Sequence, residues 1–377
     1  MKIYLYLKHF PPHDHSLNDG TSKAVHGLAA GLTACGADVT VLCEGTQKDN
    51  VCQAQMGYQI ASFASESTKP SFKISSSLQQ YISLNSQQSL FILNGIFHRS
   101  VYILSRFLKR HSLPYVVAPH DPYHPTIFYK NAYLKWIYWY LLERPMLNQA
   151  CAVQLLDKRH AEWLHRLNIK TSIIEVPNGF SLADVHPEST LSWNEDGVPK
   201  FLFLGRLDAY NKGLDILLNA FAQLTEVPEW KLTIQGPDWG DLETLKQQAG
   251  QLGLSEQITF LEPDYNLSPS AIIAPYDVFC IVSRFEGFSL SAMEAMLAGR
   301  VLVVSDIAGI APYVQASDCG VVVKPEPQAI KSGILSLLAR RSQWKEMGLR
   351  GRQYILENLH WQKIAARAME EYLYLQK

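Results

Sequence analysis

The sequence predicts an α/β protein of two similar domains, each a parallel sheet covered by helices. Three observations carry that expectation: apolar runs of strand length alternate with amphipathic helical patterns, the alternation breaks at one polar stretch, and it then restarts. With 377 residues, 47% of them hydrophobic, the chain is long enough for two or three domains with real cores. Its formal net charge of −1 shows none of the basic excess that nucleic acid selects.

The first expected strand is residues 2–7, Lys2-Ile-Tyr-Leu-Tyr-Leu7. It lacks the length and the cleavage site of a signal peptide and runs into Pro11-Pro12. A helical pattern follows in Val25, Leu28, Ala29 and Leu32, and further strands are expected at 38–43, 89–93, 115–118, 151–155 and 171–176. The weakly periodic stretch from Ser181 to Pro199, after "VPNGF", reads as a linker and sets domains of 1–183 and 184–360. Six more strands are expected near 200–204, 230–234, 258–261, 278–282, 301–305 and 320–323. Trp361, Ile364, Ala365, Ala368, Met369, Tyr372 and Leu373 fall on one face of a last helix, 361–377, expected to pack back on the first domain.

The six cysteines, Cys35, Cys43, Cys52, Cys151, Cys280 and Cys319, form no C-x-x-C pair, and several lie in apolar runs. Reduced thiols in a cytoplasmic setting are the simpler expectation. No apolar stretch is long enough to span a bilayer. The aromatic stretch from Ile127 to Leu142, with Lys130 and Lys135, suits either a buried inter-element helix or peripheral contact at the inner face of the cytoplasmic membrane; core packing is favoured.

Ligands of open α/β sheets bind beyond the carboxyl ends of the strands. There, "SRFEGFSLSAMEAMLAGR", residues 283–300, follows the expected strand Asp277–Val282. It puts Glu286 in a strand-to-helix loop and Glu294 inside a helix running from Leu290 to Leu297, with Gly299 as the stop. Free N–H groups and partial positive charge at the start of that helix suit phosphate, with an acid on either side. Equally, Ser291-x-x-Glu294 fits a capping box and Glu286 an ordinary loop acid; the stretch alone leaves both readings. The loop in "FLFLGRLDAYNKGLDILLNAF" brings Arg206 and Lys212, which singly read as surface charges. Beside the two acids they make a set suited to a diphosphate flanked by hydroxyl-rich groups. No Walker loop occurs.

"GRLDAYNKGLDILLNAF", "VSRFEGFSLSAMEAMLAGRVLVVSD" and "VPNGF" resemble the retaining glycosyltransferases of family 4, whose hallmark is the E-x7-E pair Glu286 and Glu294. The resemblance implies the GT-B fold: two facing Rossmann-like domains with parallel sheets and a cleft between them, the first binding acceptor and the second the nucleotide-sugar donor. It implies that Arg206 and Lys212 hold the donor diphosphate, Glu294 the ribose, and Glu286 with the Gly287-Phe288-Ser289-Leu290 backbone the sugar and distal phosphate. His120 in "VVAPHD" matches a histidine that faces the transferred sugar, although a lone histidine is more often structural.

In the first loop, "PPHDHSLNDGTSKAV", the family's paired glycines are replaced by Asp19-Gly20-Thr21, which leaves Gly20 and Thr21 as expected donor contacts. His13 and His15 there read as solvated for want of a third metal ligand. "TFLEPDY" departs from the family's usual turn, so Glu262, Pro263 and Asp264 are expected to shape base recognition.

The implied activity moves a hexosyl unit from a nucleotide-diphosphate sugar to a glycan or glycolipid hydroxyl in polysaccharide synthesis, with UDP-hexose favoured over GDP- or ADP-sugars. His120, Arg206, Lys212 and Glu286 form the expected catalytic set. No Asp-x-Asp motif occurs, so the cations stand where other transferases use a metal, and neither metal nor cofactor is expected. The rivals are a nucleotide-sugar epimerase, hydrolase or phosphorylase on the same scaffold, and a non-catalytic sugar-nucleotide binder. A nicotinamide enzyme with Glu44 as its ribose acid is disfavoured because G-x-G-x-x-G is missing from the first loop.

Overall fold

The structure, a computed structural model, describes residues 1–11, 19–46, 48–64, 72–129, 131–194 and 197–375. His13, His15 and Lys130 lie outside the described residues. The chain divides into two compact units, Met1–Ser181 with Leu359–Lys377, and Leu182–Asn358.

The strands of the first unit are β1 (Lys2–Tyr6), β2 (Asp38–Thr46), β3 (Asn50–Gln53), β4 (Gln59–Ala64), β5 (Ser89–Asn94), β6 (Tyr115–Ala118), β7 (Ala152–Leu155) and β8 (Ile173–Glu175). They form one sheet in the order β3-β4-β2-β1-β5-β6-β7-β8. β5, β6 and β7 are buried along their whole length, as strands covered on both faces by helices must be. The expectation of a wholly parallel sheet needs correction at one edge, where β3 runs antiparallel to β4. Neither strand was expected from the sequence. β3 is a short, largely exposed edge, and Ala and Ser thin the apolar signal of β4.

The last helix, Trp361–Leu375, packs on the helix Gly20–Ala34 within this unit. Gly27 and Gly31 permit the approach. A Cβ at Gly27 would run into the Trp361 indole, and one at Gly31 into the Trp361 backbone.

The second unit holds β9 (Lys200–Leu204), β10 (Lys231–Gln235), β11 (Ile258–Leu261), β12 (Val278–Ile281), β13 (Val301–Ser305) and β14 (Gly320–Val323), the six strands expected. All pair in parallel in the order β11-β10-β9-β12-β13-β14, the doubly wound order whose direction reverses between β9 and β12. The stretch expected as a linker is largely built into this unit: the Trp193 indole N–H donates to the Gly299 carbonyl at 3.1 Å, and Arg300 lies over the Trp193 ring.

The favoured core packing of 127–142 also needs correction. Phe128 and Trp139 are buried, but Tyr133 is 79% exposed, Leu134 68% and Leu141 67%. Core packing accounts for only one face of this segment.

Candidate functional site

At the mouth of the second sheet, Gly205 and Arg206 follow β9, and Asp208 caps a short helix, Ala209–Lys212, by accepting from the Asn211 N–H. Gly213 turns the chain at φ +67°, and a Cβ there would run into the Val282 carbonyl at the end of β12. The loops after β9 and β12 are thereby pressed together across the strand-order reversal. Lys212 Nζ lies 2.6 Å from Glu286 Oε2, and the Ser283 hydroxyl donates to the same oxygen at 3.1 Å. Both charged side chains are mostly buried, at 16% and 11% exposed, so each is held by the other. Beside them the Arg284 guanidinium makes two 2.7 Å bonds to the Asp215 carboxylate.

The helix after this loop is Leu290–Leu297, with Gly299 in the left-handed region two residues beyond its end. Its cap is Ser289, whose Oγ accepts from the Ala292 N–H. The capping-box reading of Ser291 and Glu294 is therefore overturned: Ser291 is the second helical residue and Glu294 the fifth. Phe288 is buried against Tyr313, which leaves only its backbone for a ligand, and Gly287 is buried beside it. Glu294 is half-buried on the helix.

Arg206 stands apart from the ion pair, exposed, with its guanidinium 4.3 Å from the centre of the Trp239 ring. Pro263 and its neighbours Glu262 and Asp264 follow β11 at the sheet edge, where the Glu262 carbonyl accepts from Gln235. No bond brings them to the Lys212–Glu286 pair among the described residues.

In the first unit the strand order reverses between β1 and β5. Asn94, at the end of β5, donates from Nδ2 to the Tyr6 carbonyl at the end of β1, at 3.0 Å. That bond fixes the amide's orientation, so its Oδ1 receives His120 Nε2 at 2.7 Å. The His120 proton then sits on Nε2, and Nδ1 is the ring's acceptor. Burial lowers the His120 pKa to about 4, against an opposing effect of Asp19, so the imidazole is neutral at pH 7. His120 holds a left-handed backbone, φ +64°, uncommon for a residue with a side chain. Asp19 caps the helix that begins with Gly20 and Thr21 and bonds the Ser22 N–H at 2.9 Å.

Sequence reading missed Asn94 and the Arg284–Asp215 pair. Asn94 carried a readable signal, an Asn-Gly step closing an apolar strand. Arg284 and Asp215 are 69 residues apart, and nothing in the sequence links them. Glu44, once a candidate ribose acid, lies inside β2 and is buried, accepting from the Tyr6 hydroxyl and the Ser75 N–H. Among the described residues no three His, Cys, Asp or Glu side chains gather as a metal site requires.

The family of group 1 glycosyl transferases matches residues 191–354, and the glycosyl transferase 4-like domain matches 19–179. The chain belongs to the group 1 glycosyltransferases. As a group 1 glycosyltransferase it is 29% identical over 205 residues to a phosphatidyl-myo-inositol mannosyltransferase of Mycobacterium leprae, covering 53% of either chain. The chain thus spans about half the length of that curated relative. It is 24% identical over 270 residues to a GDP-mannose:cellobiosyl-diphosphopolyprenol alpha-mannosyltransferase of Xanthomonas campestris, covering 70% of this chain and 68% of that one. In fold it matches the Anabaena protein HepE, solved in complex with UDP and glucose, with a TM-score of 0.72 at 17% identity over 99% of both chains. The fold is GT-B.

Proposed function

We propose that this chain transfers a hexosyl unit from a nucleotide-diphosphate sugar to a glycan or glycolipid hydroxyl, retaining the configuration at the anomeric carbon and needing no metal. The observation that carries the reading is the Lys212–Glu286 pair at the strand-order reversal, one short turn before the start of the helix Leu290–Leu297. A departing nucleotide diphosphate builds negative charge as its bond to the sugar breaks. An ammonium and a helix N-terminus already in place stabilise that charge without reorganisation. Arg206 adds a second cation nearer the exposed rim.

In the proposed step the bond from the anomeric carbon to the phosphate oxygen breaks, the acceptor oxygen bonds the same face of that carbon, and the acceptor proton passes to the departing phosphate. Glu286 serves the sugar and orients Lys212, while Glu294 serves the ribose. The Gly287-Phe288-Ser289-Leu290 backbone serves the distal phosphate, Gly20 and Thr21, at a helix start in the first unit, are further donor contacts, and Pro263 serves the base. UDP-hexose is the favoured donor. The GDP-mannose in the Xanthomonas relative's name supports GDP-hexose as the second reading.

A thermal-shift screen against UDP, GDP and ADP and their sugars, with and without EDTA, tests the reading, since a ligand bound only by the folded state raises Tm. One nucleotide should raise Tm well above the others and keep doing so in EDTA. No shift with any of the three, or turnover that EDTA abolishes and magnesium restores, overturns it.

A further inference from the structure

The segment that sequence reading favoured as core is apolar on both faces. Its inner face buries Trp139 and, further on, Met146 and Leu147. Its outer face carries Tyr133, Trp136, Ile137, Tyr140 and Leu141, at i, i+3, i+4, i+7 and i+8, all exposed. Trp136 stacks on Phe128 at 4.3 Å, which holds the outer face in place instead of leaving it to fold inward. A helix apolar all round is normally covered on every side, and a contiguous exposed aromatic face marks an interaction surface.

The charges around this face are one-sided. Between Ile96 and Gln149 the sequence holds seven lysines and arginines against two acids, Asp121 and Glu143, whereas the rest of the chain holds 27 against 33. Glu143 is fully buried. The helix Arg99–Arg110 packs on Arg144–Gln149, the continuation of the aromatic helix, and exposes Arg99, Arg106, Lys109 and Arg110. A second copy of the same face would meet like charge. An anionic headgroup layer meets opposite charge, and Tyr and Trp suit the depth where acyl chains give way to headgroups.

We propose that this face docks on the surface of an anionic lipid bilayer. The helix does not span it; among the described residues no helix is long and apolar enough to do so. Glu143, on the inner side of this helix, accepts from the Phe97 N–H and the Tyr123 hydroxyl, in the loops after β5 and β6; the first of these loops follows directly on Asn94 and the second carries His120. Docking would bring that end of the first sheet to headgroup level. The proposal stands or falls apart from the transfer reaction, because its readout is vesicle binding.

The test is flotation of the full chain with phosphatidylcholine vesicles, with and without phosphatidylglycerol, at low and high salt. The protein should float with the anionic vesicles, far less with phosphatidylcholine alone, and less as salt rises. The double change Ile137→Glu with Leu141→Glu should cut the bound fraction at least tenfold at unchanged Tm. Leu84→Glu, at an exposed leucine on another helix of the unit, should leave binding as it is. If the double change lowers Tm, Tyr133→Ser with Tyr140→Ser replaces it and should show the same loss. A wild-type chain that never floats, an outer-face variant that floats as well as wild type, or a vesicle-free dimer that the outer-face changes dissociate overturns the proposal.

Discussion

Each unit has one point where its strand order reverses, and each brings candidate residues to that point, but the two are built from opposite chemistry. In the first unit the junction is neutral: a carbonyl, an amide and an uncharged imidazole joined in series, from Tyr6 through Asn94 to His120. In the second it is charged: Lys212 on Glu286, with Arg284 on Asp215 beside them. A neutral network can be buried once its hydrogen bonds are made, whereas charges so deeply placed must be paired. The difference teaches what each junction is prepared to receive. Lone pairs and N–H groups suit hydroxyls, and a cation that can trade its carboxylate for a phosphate suits a diphosphate.

The largest expected effect comes from removing the cation of the charged junction. Lys212→Ala should lower kcat/KM by roughly 2–4 kcal/mol in barrier, about 30-fold to 1000-fold. Arg206→Ala should cost less, because its guanidinium is exposed over Trp239. Lys212 and Glu286 touch, so their effects should not simply add: the double change Lys212→Ala with Glu286→Gln should cost more than Lys212→Ala alone, through the sugar, but less than the sum of the two single changes. Full activity after Lys212→Ala removes the charged junction from the reaction.

At the neutral junction the expected loss is smaller and of another kind. His120→Ala should reduce turnover by about tenfold to a hundredfold, the scale of one or two positioned hydrogen bonds, and leave nucleotide diphosphate affinity unchanged. Asn94→Asp sharpens this, because a carboxylate cannot donate to the Tyr6 carbonyl and would favour a charged imidazole. It should move the pH–rate profile, which a merely structural role for His120 would not do. Equal losses of binding and turnover in His120→Ala would make the histidine structural.

How much of this was legible beforehand differs between the junctions for a physical reason. The second unit wrote itself plainly: six parallel strands, the central four largely buried, give six apolar runs, and its charged residues stand in the loops that follow them. Even the span Leu290–Leu297 was readable, because apolar periodicity and Gly299 bound it. Pairing was not readable, since the Lys212–Glu286 contact crosses 74 residues and depends on Gly213 letting two loops touch. In the first unit the edge hairpin escaped because its strands are short, polar or exposed. The aromatic helix was misjudged because composition does not tell which apolar face is covered.

A pH experiment sets the two kinds of burial against each other inside the first unit. Burial pushes Glu143 up to about 7 from 4.5, against the lowering by the Phe97 N–H and the Tyr123 hydroxyl. The unfolded chain then gives up this proton first, so the stability Glu143 contributes is full below pH 4.5 and is lost as pH rises through about 7. His120 has the opposite sign: depressed from 6.5 to about 4, it contributes stability that is full above pH 6.5 and is lost as pH falls through about 4. Glu143→Gln keeps the acceptor for both donors and removes the first slope. Its advantage over wild type should grow from pH 5 to pH 8, reaching roughly 1–3 kcal/mol. Urea unfolding at pH 5, 6 and 8 measures it, and parallel curves for the two proteins would refute a buried proton on Glu143.

The smallest expected effects lie on the helix Leu290–Leu297, and they separate its capping residue from the glutamate proposed to bind ribose. Ser289 is the cap, so Ser289→Ala should cost about 1 kcal/mol of stability. Glu294 is the fifth helical residue, too far along to reach back to the cap, so Glu294→Gln should leave Tm near wild type. If Glu294 receives ribose hydroxyls, the same change weakens charge-assisted hydrogen bonds and should loosen nucleotide diphosphate about tenfold, with or without the sugar attached. Glu286→Gln should do the reverse, cutting sugar-nucleotide turnover while free nucleotide diphosphate binds as before, since Lys212 remains to meet the phosphates. Calorimetry with the nucleotide alone, set beside turnover and Tm for the three variants, distinguishes these roles. A fall in Tm for Glu294→Gln as large as that for Ser289→Ala would return this glutamate to the scaffold, and equal weakening of nucleotide by both glutamate changes would mean that the acids share one end of the donor.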